Sequence, residues 1–191
     1  MGTSYGGNAA TFLVGTLFEL YILVVMLRFL FQVVRADFYN DISQFIVRAT
    51  NPLLRPMRRY IPGLGGIDLA TVVLLVALKM LELWLVAYIA GQHVGVAGLL
   101  VLSLAKLLSL AINIFFFSIL IQVILSWVSP GAYSPVVSLL YSLNEPLLAP
   151  ARRLIPPLAG LDLSPIAVII ILQLVSLLVV APITDVGRGL L

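Results

Sequence analysis

The chain has 191 residues, of which 62% are hydrophobic and 10% charged, and its mean hydropathy is +1.16. A water-soluble globule is excluded, because such domains carry about 25% charged residues. The net charge of +3 comes mainly from arginines in two loops and gives no basic surface for nucleic acid, and the absence of cysteine excludes disulfides, thiol chemistry and Cys-based metal sites.

In chain order, a short polar tail is followed by an apolar run over residues 12–34. The tail has no Lys or Arg through Thr11, so this run reads as a retained signal-anchor helix and not as a cleaved signal peptide. Residues 35–67 form a loop with helical content, and 68–90 a second span. A tight turn at 91–98 holds His93, the one histidine. From Leu99 to Val128 the chain stays apolar for longer than a single crossing of roughly 20 residues needs. The third span is placed at 106–128, which leaves 96–105 as an extension, a tilted end or an interfacial piece. A second loop covers 129–162. The fourth span covers 163–181, with Pro182 near its end and a short tail beyond.

These elements form two copies of one unit, 1–98 and 99–191. Pro52–Leu69 reads PLLRPMRRYIPGLGGIDL and Pro146–Leu163 reads PLLAPARRLIPPLAGLDL; at the offset 146 − 52 = 94, 12 of the 18 positions are identical. An internal repeat of this kind defines the architecture. With two spans per unit the repeats are parallel, and their axis is expected near the membrane normal. The expected fold is all-α: a polytopic membrane protein of about four transmembrane helices. Arg35, Arg48, Arg55, Arg58 and Arg59 lie in the first loop and Arg152 and Arg153 in the second, whereas the 91–98 turn has no Lys or Arg. The positive-inside rule therefore puts both loops in the cytoplasm and both termini outside.

Each loop is amphipathic. Ile42, Phe45, Ile46, Ala49, Leu53 and Met57 recur at helical spacing in the first. Asn51–Pro52 and Glu145–Pro146 each read as the cap and first turn of a new helix, and Pro56 would break the second piece early. The expectation is a broken interfacial helix in each loop, with another opening at Ser134–Pro135. Arg58, Arg59, Arg152 and Arg153 then serve as topology determinants, or as contacts to anionic lipids or an acidic partner. Asp68 and Asp162 stand where spans begin and suit helix caps; alternatively Ser164–Pro165 caps the last span and Asp162 pairs with Arg152 or Arg153.

The paired P-L-L-x-P-x-R-R-x-I-P-x-x-x-G-x-D motif, with Phe38-Tyr39-Asn40 after the first span and Ser126-Trp127-Val128-Ser129 after the third, resembles the YggT family of small bacterial membrane proteins, which has relatives in cyanobacteria and plastids. The resemblance runs from about Phe12 to Val180. Ala151 departs from the usual aliphatic residue, and Ala70–Thr71 stands where Ser-Pro often follows the Asp, so the halves are not equivalent. Membership implies a multi-pass protein of the bacterial inner membrane without established enzymatic activity or cofactor. It also implies links to osmotic tolerance, to cell or plastid division and nucleoid distribution, and to assembly of a plastid cytochrome complex.

Polar residues within the spans are the remaining candidates: Glu19, Arg28, Lys79, Glu82, Asn113, Gln122 and Gln173. The offset pairs three charges with amides, Glu19 with Asn113, Arg28 with Gln122, and Lys79 with Gln173. Ionisable groups at membrane depth are costly and face a bundle interior. Lys79 is expected to pair with Glu82, three residues on, with Glu19, or with both, as a structural ion pair or a proton or ion relay. No nucleophile–base pair or metal-ligand cluster is present, so an enzyme is not expected. The expected function is a scaffold or assembly factor that binds anionic lipids and other membrane proteins. An ion or small-solute pathway, as a homo-oligomer if one forms, is the alternative.

Overall fold

A computed structural model describes residues 5–128, 134–155 and 162–191. Among these residues the fold is all-α, with four helices long and apolar enough to cross a membrane. They are α1 (Tyr5–Val33), α3 (Leu69–Ile89), α4 (Val96–Val128) and α6 (Ser164–Gly189). Their apolar side chains cover the whole circumference, as a helix solvated by lipid requires. Between them run two amphipathic helices, α2 (Asp41–Met57) and α5 (Pro135–Leu154).

The α1 and α3 helices pack antiparallel, with Glu19 beside Lys79. In the second half α4 packs along α6, whose last segment lies against the start of α4. The start of α1 and the C-terminal end of α6 therefore lie with the 91–98 turn at one end of the bundle, the terminal end, and both amphipathic helices lie at the other, the loop end. Aromatic side chains mark both levels, as they do at membrane–water interfaces. Tyr88 stacks on Trp84 at the terminal end, while Tyr39, Tyr60 and Trp127 stand exposed at the loop end.

Two expectations are corrected and one open alternative is decided. The amphipathic helices are not broken: α2 runs through Pro52 and Pro56, and α5 through Pro146 and Pro150. They open at Asn40, whose side chain accepts from Ser43 N–H, and at Ser134, whose hydroxyl accepts from Val137 N–H. An internal proline costs a helix bond, but α1 packs beside the affected turn. Tyr21 Oη donates to Ala49 O at 3.3 Å and Arg28 Nη1 to Val47 O at 3.2 Å. Of the alternatives left open for 96–105, the structure has the extension: α4 is one helix from Val96, and Leu99, Leu102 and Ala105 are buried. The fourth span does not stop near 181. A π-helical turn at Ser176–Val180 precedes Pro182, and α-helix resumes from Ala181 to Gly189. A proline ring clashes with the carbonyl four residues back, and wider i→i+5 winding relieves that clash.

The face that α2 buries also differs from the simple interfacial reading. Ser43, Ile46, Thr50 and Leu54 face the bundle, whereas Phe45 and Leu53 point away from it. Thus α2 is strapped to the bundle on one side and keeps a separate apolar edge exposed. Leu139, Leu143, Asn144 and Leu148 are buried in the equivalent way on α5. The chain then turns back through a two-residue hairpin, where Leu64 and Ile67 exchange backbone bonds and Gly65 and Gly66 take φ of +59° and +85°. Only glycine adopts two such angles in succession at little cost.

Candidate functional site: two polar layers and a repeated clasp

The seven polar residues of the spans do not form one cluster. Near the middle of α1 and α3, Lys79 Nζ lies 2.9 and 2.8 Å from the two carboxylate oxygens of Glu82 and 3.6 Å from Glu19. Lys79 and Glu82 are buried, with side chains 8% and 6% exposed, whereas the Glu19 side chain is 69% exposed. Lysine thus has both expected partners, but the bidentate contact to Glu82 is the desolvated one. A cleft of about 410 Å³ adjoins the pair, lined by Thr16, Glu19, Lys79, Lys106 and Asn113 among others. Gln173 is exposed on α6 and does not join this group.

Arg28 and Gln122 belong to the loop end instead. Arg28 Nη1 donates to Thr50 Oγ1 and to Asn51 Oδ1 at 3.0 Å. At the equivalent place in the second repeat, Gln122 Oε1 accepts from Asn144 Nδ2 at 2.7 Å, and Ser118 Oγ donates to Asn144 Oδ1. Thr50 and Asn144 (50 + 94 = 144) are both fully buried. Sequence reasoning missed this pair. Its signal was available, since each is a polar residue on the buried stripe of an amphipathic helix at the repeat offset.

Nine residues separate Glu19 from Arg28, about 13 Å along the helix. Between them Ile22, Val25 and Met26 of α1 and Leu74 and Leu75 of α3 are no more than 5% exposed. Tightly packed aliphatic side chains therefore seal the two polar layers from one another within the first repeat.

The arginine pairs divide their work identically in the two repeats. Arg58 holds Asp68 through Nε at 3.0 Å and through Nη2. Arg152 holds Asp162 through Nε at 3.0 Å, and its Nη1 reaches Glu145 at 3.1 Å. Each bond fastens the end of an amphipathic helix to the start of the next span. Arg58 and Arg152 are therefore clasp residues, and of the two arginines offered to Asp162 it is Arg152 that pairs with it. Arg59 and Arg153 are exposed, with no ion pair to a described residue.

The two aspartates differ. Asp68 occupies the cap position of α3, yet its carboxylate makes no capping bond to the helix backbone; it accepts from Arg58 and from Thr71 Oγ1 at 2.6 Å. Asp162 stands one residue before the cap position, Leu163, and accepts from Ser164 N–H at 2.9 Å as well as from Arg152. Burial acts to raise the Asp68 carboxyl pKa, but the bonds from Arg58 and Thr71 outweigh it and hold it below the ordinary carboxylate range. Asp162 is held low in the same way, with burial opposed by Ser164 and Arg152. Among the described residues no group of three His, Asp or Glu side chains is placed to hold a metal.

A family model described as CCB3/YggT matches this chain twice, over residues 7–89 and 101–183. These bounds reproduce the offset of 94 found in the motif. Among relatives, an uncharacterized protein of Pseudomonas aeruginosa is 51% identical over 91% of this chain and 89% of its own. One from Vibrio alginolyticus is 47% identical over 90% and 93%. The uncharacterized protein YggT of Escherichia coli K12 is 37% identical over 96% of each chain. No solved structure matches.

Proposed function

The chain belongs to the CCB3/YggT family, and from that premise we propose that it is a non-conducting scaffold of the bacterial cytoplasmic membrane, which organises or helps assemble other membrane proteins through the surface of α2 and α5. The observation that carries this reading is the sealed aliphatic layer between Glu19 and Arg28. A pathway for ions needs polar groups or water throughout the hydrocarbon, and here the charges are confined to two separated levels. A binding role needs what the loop end offers: rigidly fastened helices, the exposed apolar side chains Phe45, Leu53, Tyr141 and Leu154, and the exposed cations Arg59 and Arg153, which pair with no carboxylate among the described residues. The loop end is assigned to the cytoplasm on its arginine content. Of the roles that family resemblance suggests, membrane-complex assembly is the one such a bundle performs by binding alone.

The test is reconstitution of the purified protein in liposomes, together with quantitative co-purification in mild detergent. The reading expects no ion or proton flux above protein-free vesicles. It also expects a reproducible set of membrane-protein partners, lost when Phe45 and Leu53 are replaced by Ser and Arg59 and Arg153 by Gln. Flux that scales with protein content and is abolished by Lys79→Met would replace the scaffold with the pathway.

A further inference from the structure

Between α1, α2 and the Gly65–Gly66 hairpin lies a pocket of about 680 Å³, lined by Arg28, Gln32, Gln44, Arg58, Ile61 and Asp68 among others. The second repeat has its counterpart between α4, α5 and the start of α6, lined by Gln122, Ser126, Tyr141, Arg152 and Asp162 among others. The same positions line both: Arg28 and Gln122, Gln32 and Ser126, Arg58 and Arg152, Asp68 and Asp162. They differ in charge. The second pocket has one arginine and one aspartate, which hold each other. The first has two arginines and one aspartate, and Arg58 takes the aspartate.

Arg28 is thus a guanidinium only 5% exposed with no carboxylate within ion-pair distance among the described residues. Its three hydrogen bonds go to neutral acceptors, and all three are made by Nη1. Nε and Nη2 bond to no described residue, and the Arg28 side chain lines the pocket. A buried charge without a counter-charge is costly. The Nε–Nη2 edge of a guanidinium presents the two parallel N–H groups that match a phosphate. The pocket sits at the loop end, at headgroup level.

We propose that this pocket binds a single phosphate-class anion on the Nε–Nη2 edge of Arg28, with Arg58 on the facing wall. The anion is either the headgroup phosphate of an anionic phospholipid or a free phosphate. The site is separate from the surface cations Arg59 and Arg153 and does not depend on the scaffold reading, since an assembly factor can work with or without it.

The experiment is binding to the purified full chain in a neutral detergent, with phosphatidylglycerol and inorganic phosphate as separate probes. It is read by native mass spectrometry and by the thermal midpoint. Wild type is expected to retain one anion per chain and to gain several degrees. The Arg59→Gln/Arg153→Gln double variant should bind equally well. Arg28→Gln, which copies the second repeat, should bind at least tenfold more weakly, and Arg28→Lys should bind in between. Saturation by phosphatidylglycerol alone identifies a lipid site, and displacement of the lipid by phosphate identifies a site open to the soluble anion; both support the proposal. It is overturned if wild type shows no saturable one-to-one binding, which needs no variant to fold. It is also overturned if Arg28→Gln binds like wild type, or if the Arg59/Arg153 variant loses the anion.

Discussion

Arg28 meets Thr50, and ninety-four residues later Gln122 meets Asn144. In both repeats the first span is stitched to the amphipathic helix after it by a buried polar contact, but one stitch carries a full charge and the other is an amide pair. Thr50 and Asn144 are fully buried, and a buried polar group left without a partner costs more than the bond is worth. The position therefore keeps its mechanical role in both halves and acquires a charge in only one. Asymmetry of this kind, laid on a duplicated frame, is where distinct chemistry for the two repeats begins.

The Lys79–Glu82 pair gives the first stability prediction. Lys79→Met leaves Glu82 buried and uncompensated, which costs about 3–5 kcal/mol in soluble proteins and less in a membrane, where the unfolded state also finds partners. Glu82→Gln added to Lys79→Met should recover most of the loss. Unfolding in mixed detergent micelles measures both. A Lys79→Met protein as stable as the parent would show that Glu82 is not held by this pair.

The two clasps should differ in worth. Asp68 is 6% exposed and Asp162 44%, so loss of Arg58 strands a desolvated carboxylate while loss of Arg152 strands a wet one. Arg58→Gln is expected to destabilise by about 2 kcal/mol and Arg152→Gln by under about 1 kcal/mol. Limited proteolysis of the two loops, read alongside the unfolding midpoint, locates the damage.

Acid should release the first clasp. Asp68 has its pKa depressed by Arg58 and Thr71 against the opposing effect of burial. A depressed carboxyl contributes stability that is complete above its unfolded pKa of about 3.9 and is lost as pH falls through the lower folded value. Unfolding at pH 7 and at pH 3 should thus differ more for wild type than for Asp68→Asn. Equal pH dependence in the two proteins would remove Asp68 from the account.

Much of this fold was legible because a membrane span declares itself by length and the repeat declares itself by identity. The four spans, the offset and the Lys79–Glu82–Glu19 grouping follow from those two signals. The rest depended on tertiary contacts that propensity does not encode. Pro52 and Pro146 read as helix breaks, yet α1 and α4 lie alongside those helices, and in the first repeat Tyr21 and Arg28 donate to carbonyls of the turn before Pro52. The Arg58–Asp68 bond spans ten residues across a hairpin, so spacing alone could not choose between a cap, a headgroup contact and a clasp.

Topology is a separate expectation. Reporters fused after Leu191 should read as external, and reporters inserted beside Asn144 as cytoplasmic, because the loop end carries the arginines. The reversed pattern would put the clasps, the anion pocket and the exposed faces of α2 and α5 on the outside.

The last segment of α6 provides a test of packing. A Cβ on Gly187 would lie 2.8 Å from Leu102 Cγ and 3.1 Å from the Leu102 backbone nitrogen; one on Gly98 would lie 2.9 Å from the Leu190 backbone carbonyl. Small residues let helix backbones approach closely where lipid supplies no hydrophobic drive for association. Gly187→Val must therefore push Ala181–Gly189 away from α4, since the backbone atom it meets cannot swing aside as a side-chain end could. The α4 extension over 96–105 would lose its partner at the same time. The expected outcome is a lower unfolding midpoint and a longer spin-label distance between positions 101 and 186, with the Arg58 and Arg152 clasps at the opposite end unaffected. Leu102→Ala made in the same chain removes the Cγ contact but not the backbone one, so it should restore the packing only in part. Full restoration would mean that the helices meet through side chains alone.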